Sequence, residues 1–294
     1  MTTVISASLV KDLRERTGAG MMECKRALQE SHGDIEKAIE AMRKSGQAKA
    51  DKKSDRVTAE GIIVIRISDD LKRAIMVEIN SETDFVSRDT HFLNFANLVA
   101  DTAIANNVEN LESLLSASIN NETIDETRKH LVAKIGENIQ VRRFAALKSN
   151  SHIIGGYVHG GRIGALVELE GGDATLGKDI AMHIVANNPL VILPTQVSEN
   201  LINSEKEIFS AQAATSGKPA NIIEKMVEGR IKKYLDEVSL VGQPYVKDPD
   251  STVGKILESH KAKAHHFVRF KVGEGIEKKT ENFAEEVMAQ VRGS

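Results

Sequence analysis

An acid and a large aromatic residue stand side by side in the stretch NSETDFVSRD, residues 80–89. The stretch follows the apolar run 74–79, which predicts a strand, and it precedes an amphipathic helix. Asp84 could cap that helix while Phe85 packs the helix against the sheet, since both arrangements are common after a strand. Alternatively, the loop presents Asp84 and Phe85 as a finger that inserts into another molecule. The local sequence leaves both interpretations open.

The motifs of nucleotide-binding and hydrolytic enzymes are missing from the sequence. It contains no G-x-x-x-x-G-K-[ST] phosphate loop, no strand-borne G-x-G-x-x-G and no G-x-S-x-G. The glycine-rich segment TGAGMMECK (17–25) joins two predicted helices, and KVGEGIEKK (271–279) is an equally weak phosphate cradle. Cys24 lies on an apolar helix face, which predicts a buried, inert thiol. We therefore predict no enzyme chemistry and no cofactor.

Histidine and cysteine spacing predicts no metal site. His265 and His266 are adjacent, but no H-E-x-x-H or similar close spacing of histidine and carboxylate occurs. The single cysteine excludes an internal disulfide and a multi-cysteine zinc site. His159, in YVHGGRIG, is more typical of a turn than of a catalyst.

The amino-acid composition is typical of an ordinary soluble protein. It is 41% hydrophobic and 28% charged, with a net charge of −3, no tryptophan and 4% aromatic residues, which argues against a stacking platform for bases. No window approaches 18 uncharged apolar residues, and the first residues lack a basic segment followed by a hydrophobic one. We therefore expect a cytoplasmic protein that contacts neither membrane nor nucleic acid directly.

Charge is distributed unevenly along the chain. Residues 1–56 carry 12 Lys and Arg against 9 Asp and Glu, a balance of +3, whereas the remainder carries 27 against 33, a balance of −6. A basic module of this kind suits an acidic partner surface. The excess is too small to demand nucleic acid.

Helical spacing of apolar residues predicts three short helices in the first 46 residues. Met21 is placed on the apolar stripe of the second helix, with Cys24 and Leu28, and is therefore expected mainly in the core. Gly33 and Asp34 separate the second helix from the third, and Gly46 is predicted to end the third. The charged segment 47–61 that follows predicts a linker.

One pattern of elements occurs twice in the rest of the chain. GIIVIRI and RAIMVEI form a hairpin followed by a helix, and IIGGYVH and GRIGALVEL repeat this order. Each copy closes with a later strand, NIQVRRFAAL (138–147) or HHFVRFKV (265–272). The second copy is interrupted by two amphipathic segments joined at SGKP (216–219), which predict an antiparallel helical hairpin. A last helix is expected from about residue 281 to 291.

These patterns predict an α+β fold with duplicated core subdomains, an N-terminal three-helix module, a projecting helical hairpin and a C-terminal helix. The predicted units are an N-terminal three-helix domain with linker (1–56), a first core subdomain (57–150), a second core subdomain in two parts (151–196 and 237–278), an inserted hairpin arm (197–236) and a C-terminal helical module (279–294).

Several motifs together resemble bacterial translation elongation factor Ts. They span nearly the whole chain in order and are LVKDLRERTGAGMMECKRAL, GDIEKAIEAMRKSG, ETDFV, LVAKIGENIQVRR, GGRIGALVEL, DIAMHIVA, SGKPANIIEKMVEGRIKKYLDEVSLVGQPYVKD and VGEGIEKK. The resemblance implies a guanine nucleotide exchange factor for elongation factor Tu, a GTPase that delivers aminoacyl-tRNA to the ribosome. It implies an N-terminal module similar to ubiquitin-associated domains, which docks on the GTPase domain of Tu.

The resemblance also implies roles for individual residues. The loop that dislodges magnesium from Tu corresponds to Thr83, Asp84, Phe85 and Val86. Contacts with Tu are implied for the N-terminal module, for the helix end in KIGEN and for the turn in HGGRIG, namely Arg14, Met21, Met22, Lys25, Ile135, Gly136 and His159. On the residues alone, Met22 is a better contact candidate than Met21, and Gly136 could allow close approach or end a helix.

Departures from the family pattern are mild. Ser81 stands where the family often has cysteine, and the linker after Gly46 is more charged than the alanine-rich form. The full-length hairpin is similar to that of the longer family members, whereas dimerisation is a feature of the shorter ones. A dimer of heterodimers is therefore an open alternative that the resemblance does not carry over to this chain. Two alternatives stay open at this point: a binding or chaperone module without exchange activity, and a nucleic-acid binder that uses the basic first domain.

Overall fold

The computed structural model describes residues 5–119, 122–215 and 218–277. Within these ranges the chain is a mixture of helices and small antiparallel sheets, which confirms the predicted α+β class. In the same ranges, no helix combines the length and the apolar character needed to cross a lipid bilayer. The helix predicted at about 281–291 lies outside the described residues.

The N-terminal module consists of three helices around a small core of its own. They are α1 (Ala7–Thr17), α2 (Met21–Glu30) and α3 (Ile35–Asp51). Asp34 begins α3 as predicted, since its carboxylate accepts a hydrogen bond from the Lys37 N–H at 3.0 Å. The core is formed by apolar side chains from all three helices: Val10, Leu13, Cys24, Ala27, Leu28 and Ala38.

The prediction that Gly46 ends the third helix is wrong. The helix continues through Gly46 to Asp51, so the first part of the expected linker is helical. Gly46 is buried, and a Cβ atom placed on it would stand 3.4 Å from the Cβ of Ala133 in a neighbouring helix. The glycine thus serves a close helix contact rather than a stop, and Ala50 beyond it is buried in the first core.

The first core subdomain packs helices on one face of a three-stranded antiparallel sheet. In chain order its elements are β1 (Glu60–Ile67), β2 (Arg73–Ser81), α4 (Thr90–Ala105), α5 (Leu111–Ser116), β3 (Ser118–Ile119), β4 (Glu122–Thr123), α6 (Ile124–Ile135) and β5 (Ile139–Lys148). The strand order is β1-β2-β5. Strand β2 is therefore central, and Ile75, Val77 and Ile79 on one of its faces join the core with α4.

The second core subdomain repeats this plan. Its elements are β6 (Ile153–His159), β7 (Ile163–Glu170), α7 (Ala174–Asn187), α8 (Glu199–Ala214), α9 (Ala220–Val238), β8 (Pro244–Tyr245), β9 (Asp248–Thr252), α10 (Val253–Ser259) and β10 (Lys263–Lys271). The main sheet has the order β10-β7-β6, so the second strand of the hairpin is again central. This repetition confirms the predicted duplication.

The two sheets pack against each other through the faces that the helices leave open. Met76 on β2 and Leu166 on β7 are buried in a shared apolar cluster with Ile63 and Phe270. The alternation along β2 therefore sends one set of side chains to α4 and the other set to the second sheet. Burial on both faces explains why the apolar run 74–79 is nearly continuous.

The predicted helical hairpin is present. Helices α8 and α9 lie against each other, and the ring of Phe209 meets that of Tyr234 edge-on with centroids 6.5 Å apart. Among their described residues only Ala213 and Val227 are buried, so the pair forms an exposed arm. Part of the turn predicted at 216–219 lies outside the described residues.

Candidate functional site

The loop between β2 and α4, here called the finger (residues 82–88), presents one large apolar side chain to solvent. Phe85 is 83% exposed, the highest exposure among the large exposed hydrophobic residues of the described chain. Its neighbour Val86 is 8% exposed and packs in the first core, where the finger forms a short 3-10 turn. Val86 therefore anchors the finger, and Phe85 does not fasten α4 to the sheet.

Asp84 does not cap the following helix. That role belongs to Asp89, whose carboxylate accepts hydrogen bonds from the N–H groups of His91 at 2.8 Å and Phe92 at 3.3 Å. The side chain of Asp84 instead forms an ion pair with Arg88 at 3.0 Å on the surface of the finger. The capping and packing interpretation is thus wrong for both residues, and the finger displays an acid beside an aromatic ring.

Thr83 holds the base of the finger in place. Its backbone N–H and its hydroxyl both donate to the carboxylate of Glu137, at 3.0 and 2.7 Å. The Ser81 hydroxyl donates to the Thr83 carbonyl at 2.9 Å, and Thr83 Oγ1 accepts a long bond from the Val86 N–H at 3.5 Å. A bidentate contact to a carboxylate is among the stronger protein hydrogen bonds, so the finger is held in a defined position.

A second bond runs in the opposite direction between the same two segments. The carboxylate of Glu82 accepts from the Asn138 N–H at 2.5 Å, while Asn138 donates through its side chain to the carbonyls of Ser54 and Arg56. We call the pair of contacts Thr83–Glu137 and Glu82–Asn138 the brace. Sequence reasoning missed these partners, although Glu137 follows directly after Gly136 in the KIGEN motif.

Gly136 and Ile135 support the brace from the end of α6. Gly136 ends the helix with a φ of 91°, a left-handed conformation that glycine adopts at little cost, and its N–H donates to the Val132 carbonyl at 2.9 Å. The Gly136 carbonyl accepts from Lys53. Ile135 is partly buried against the first core. Both residues therefore direct the chain so that Glu137 reaches Thr83.

His159 lies at the end of β6, in a turn that approaches the finger. Its ring is exposed, with Nδ1 3.2 Å from the Tyr157 hydroxyl, and two glycines with positive φ follow it. A groove of about 830 Å³ separates this turn from the finger and is lined by both, including Asp84, Arg88, Gly160 and Arg162. The structure therefore brings the finger and the β6–β7 turn to one surface.

The groove lining includes neither His159 nor the end of α6, and the remaining predicted contact residues lie on the N-terminal module, also outside it. Met21 and Met22 begin α2 and are 59% and 76% exposed. The expectation that Met21 belongs mainly to the core is wrong, because the core contacts of α2 are made by residues further along the helix. Arg14 and Lys25 are exposed as well. The module thus offers two adjacent exposed thioethers with Lys25 one turn further along α2, a surface suited to protein binding.

The groups displayed on these surfaces suit binding better than bond-making chemistry. The finger presents a ring and an ion-paired carboxylate, and the module presents methionines. In the second sheet, His152, Glu170 and His265 have the spacing of metal ligands, and within the described ranges they are the one such group. That group lies on other elements than the finger.

Comparisons with known proteins agree on one family. A family model described as Elongation factor TS matches residues 82–274. The chain is 60% identical over 291 residues to Elongation factor Ts of Thioalkalivibrio sulfidiphilus (strain HL-EbGR7), with 99% of each chain covered. It is similar at 60% to Elongation factor Ts of Methylococcus capsulatus (strain ATCC 33009 / NCIMB 11132 / Bath) and at 58% to that of Legionella pneumophila (strain Paris), with the same coverage.

Proposed function

This chain belongs to the elongation factor Ts family, and from that membership we propose that it is a guanine nucleotide exchange factor for elongation factor Tu. Membership itself supports a role in translation elongation. In the proposal the protein binds Tu loaded with GDP, displaces Mg²⁺, promotes GDP release and stabilises empty Tu until GTP binds. The observation that carries it is the exposed Phe85 on a braced loop.

Exchange requires that the factor bind empty Tu more tightly than loaded Tu. A ligand that binds two states with equal affinity does not shift the equilibrium between them. By linkage, the nucleotide weakens the binding of the factor to Tu by the same ratio as the factor weakens the binding of the nucleotide. Each tenfold step needs about 1.4 kcal/mol of differential binding. Burying one phenylalanine supplies roughly 1.5–3 kcal/mol, so Phe85 alone accounts for about one to two powers of ten.

The brace makes this use of Phe85 efficient. A loop that must become ordered on binding loses part of its interaction energy as conformational entropy, about 1–2 kcal/mol for each residue fixed. The two bonds from Thr83 to Glu137 and the bond from Asn138 to Glu82 order the finger before it meets a partner. The burial energy of Phe85 then remains available for the difference between empty and loaded Tu.

Asp84 supplies the electrostatic part of the proposal. Mg²⁺ offsets the negative charge of the nucleotide phosphates, so its loss weakens nucleotide binding. In the proposal Phe85 wedges between the elements of Tu that hold the metal, while Asp84 adds negative charge or competes for the same hydrogen-bond donors. Thr83 and Val86 act by holding the finger, through Glu137 and through the first core respectively.

The remaining predicted contacts extend the footprint. We assign to Tu binding the exposed methionines and cations of the N-terminal module, the α6 end and the β6–β7 turn: Arg14, Met21, Met22, Lys25, Ile135, Gly136 and His159. The shared groove beside the finger supports the inclusion of the β6–β7 turn. The proposed partner acts in the cytoplasm, and the exchange chemistry needs neither a cofactor nor covalent catalysis by this chain.

The test is stopped-flow release of a fluorescent GDP analogue from Tu. Phe85→Ala is expected to slow catalysed release by roughly ten- to a hundredfold, and Asp84→Ala to slow it less, because burial of the ring contributes most. Leu190→Ala is the matched control, since Leu190 is an exposed apolar residue outside the finger. Wild-type release by Phe85→Ala would refute the role of the finger.

A second measurement addresses the complex itself. The full chain mixed with Tu should elute with it from a sizing column as a complex without nucleotide, and light scattering of that peak would distinguish one heterodimer from a dimer of heterodimers. A binding module without exchange activity would elute with Tu while GDP remained bound. That outcome would favour the chaperone alternative.

A further inference from the structure

Two histidines and two glutamates meet on the second sheet. His152 lies just before β6, Glu168 and Glu170 lie on β7, and His265 lies on β10. The two imidazole rings are stacked, with centroids 4.5 Å apart and planes inclined by 11°. His152 Nδ1 is 2.9 Å from Glu168 Oε1, and His265 Nε2 is 2.8 Å from Glu170 Oε2. One atom from each of His152, Glu170 and His265 lies within 4.8 Å of the others.

A strand irregularity delivers His265 to this cluster. Along β10, Ala264 pairs with Leu169 and His266 pairs with Glu168, so His265 is the extra residue of a bulge. Bulges redirect side chains and recur beside functional sites. The bulge places the ring of His265 on that of His152 from the opposite edge of the sheet, across the central strand β7.

We propose that His152, Glu170 and His265 form a binding site for one divalent ion of the zinc class. Two imidazoles and one carboxylate are the ligand set that zinc accepts when a fourth position is left to water, and nitrogen ligands disfavour Mg²⁺ and Ca²⁺. Glu168 completes the arrangement, because its contact with His152 Nδ1 leaves Nε2 as the ligand nitrogen. Carboxylates orient metal-bound histidines in this way.

Closing around an ion requires the ligand atoms to approach one another and one of the stacked rings to turn, because an imidazole nitrogen binds a metal in the plane of its ring. Tetrahedral ligands at zinc distances stand about 3.3 Å apart. The ligand atoms, which now lie within 4.8 Å of one another, must therefore come closer together. The side chains best placed to move are those of Glu170 and His265, which are 53% and 41% exposed. The bound ion would join the residue before β6 to strands β7 and β10, on elements separate from the finger.

The direct test titrates the full chain, freed of metal by a chelator, with Zn²⁺ in a calorimeter. We expect one ion per chain with a dissociation constant in the micromolar range or tighter. His152→Gln and His265→Gln should each weaken binding at least tenfold, and Glu168→Gln should weaken it by about ten- to a hundredfold through its effect on His152. His266→Gln is the control, since it removes the adjacent exposed histidine and should bind like the wild type.

Two further measurements distinguish loss of the metal site from loss of folding. Co²⁺ should give the intense visible absorption of tetrahedral coordination in the wild type and lose it in His152→Gln. Zn²⁺ should raise the unfolding temperature of the wild type and of His266→Gln, but not of His152→Gln, while all three keep the same circular dichroism. The inference is overturned if removing both His152 and His265 leaves the zinc affinity unchanged, or if binding is weaker than micromolar.

Discussion

Removing the carboxylate of Glu137 should slow nucleotide exchange although Glu137 is not part of the finger. Glu137→Ala deletes two hydrogen bonds, from the Thr83 N–H and hydroxyl. A bond to a charged acceptor contributes about 1.5–3 kcal/mol, and because both groups are only partly buried we assign about 1.5–3 kcal/mol to the pair together. Loss of this energy lets the finger leave its ordered position.

The population of the ordered finger sets the size of the effect. At about 1.4 kcal/mol for each power of ten, the loss corresponds to a ten- to a hundredfold smaller ordered fraction at most. We expect catalysed GDP release by Glu137→Ala to fall roughly tenfold, since Glu82 still accepts from Asn138 and retains part of the brace. Hydrogen exchange at residues 83–88 should become faster than in the wild type.

Two further variants show whether the effect passes through Phe85. Glu137→Gln keeps one acceptor for the Thr83 hydroxyl and should lie between Glu137→Ala and the wild type. In the Phe85→Ala background, Glu137→Ala should add little, because the ordered finger then has no ring to present. Wild-type release by Glu137→Ala, or full additivity of the two changes, would refute this reasoning.

Two predictions concern stability. Burial alone would raise the pKa of the Glu78 carboxyl, but hydrogen bonds from the Gly273 N–H and the Arg143 guanidinium outweigh it and lower the pKa. The resulting stabilisation is present above the usual glutamate pKa of about 4.3 and is lost as pH falls through the lowered pKa. Glu78→Gln should therefore lower the free energy of unfolding in urea by about 3–5 kcal/mol at neutral pH and by less in acid. An equal loss of stability at both pH values would contradict this. Gly46→Leu should cost about 1–3 kcal/mol by forcing α3 from Ala133, whereas Gly46→Ala should stay within about 1 kcal/mol in thermal unfolding.

Local patterns in the sequence predicted most elements of the fold. The apolar run 74–79 became β2, and Asp34 began α3, because strand alternation and helix capping depend on residues only a few positions apart. Gly46 shows where this reasoning ends. A glycine can stop a helix or admit a neighbouring one, and only the position of α6 distinguishes the two.

The candidate site was predictable as a segment but not as an arrangement. The TDFV motif marked the finger, yet the sequence left open whether Asp84 and Phe85 served the fold. Met21 shared a helical stripe with Cys24, and one is exposed while the other is buried. Periodicity describes which residues share a face, but exposure depends on whether another element covers that part of the face.

By itself, the sequence determined most of the elements, their duplication and the family to which the chain belongs. The tertiary structure decided that Glu137 reaches Thr83 across 54 positions and that His265 meets Glu170 across 95. Neither pair has a spacing that a motif could register, because a strand pairing and a helix end bring them together. The sequence specifies the type of each side chain, whereas the brace and the histidine cluster form only after distant elements have packed.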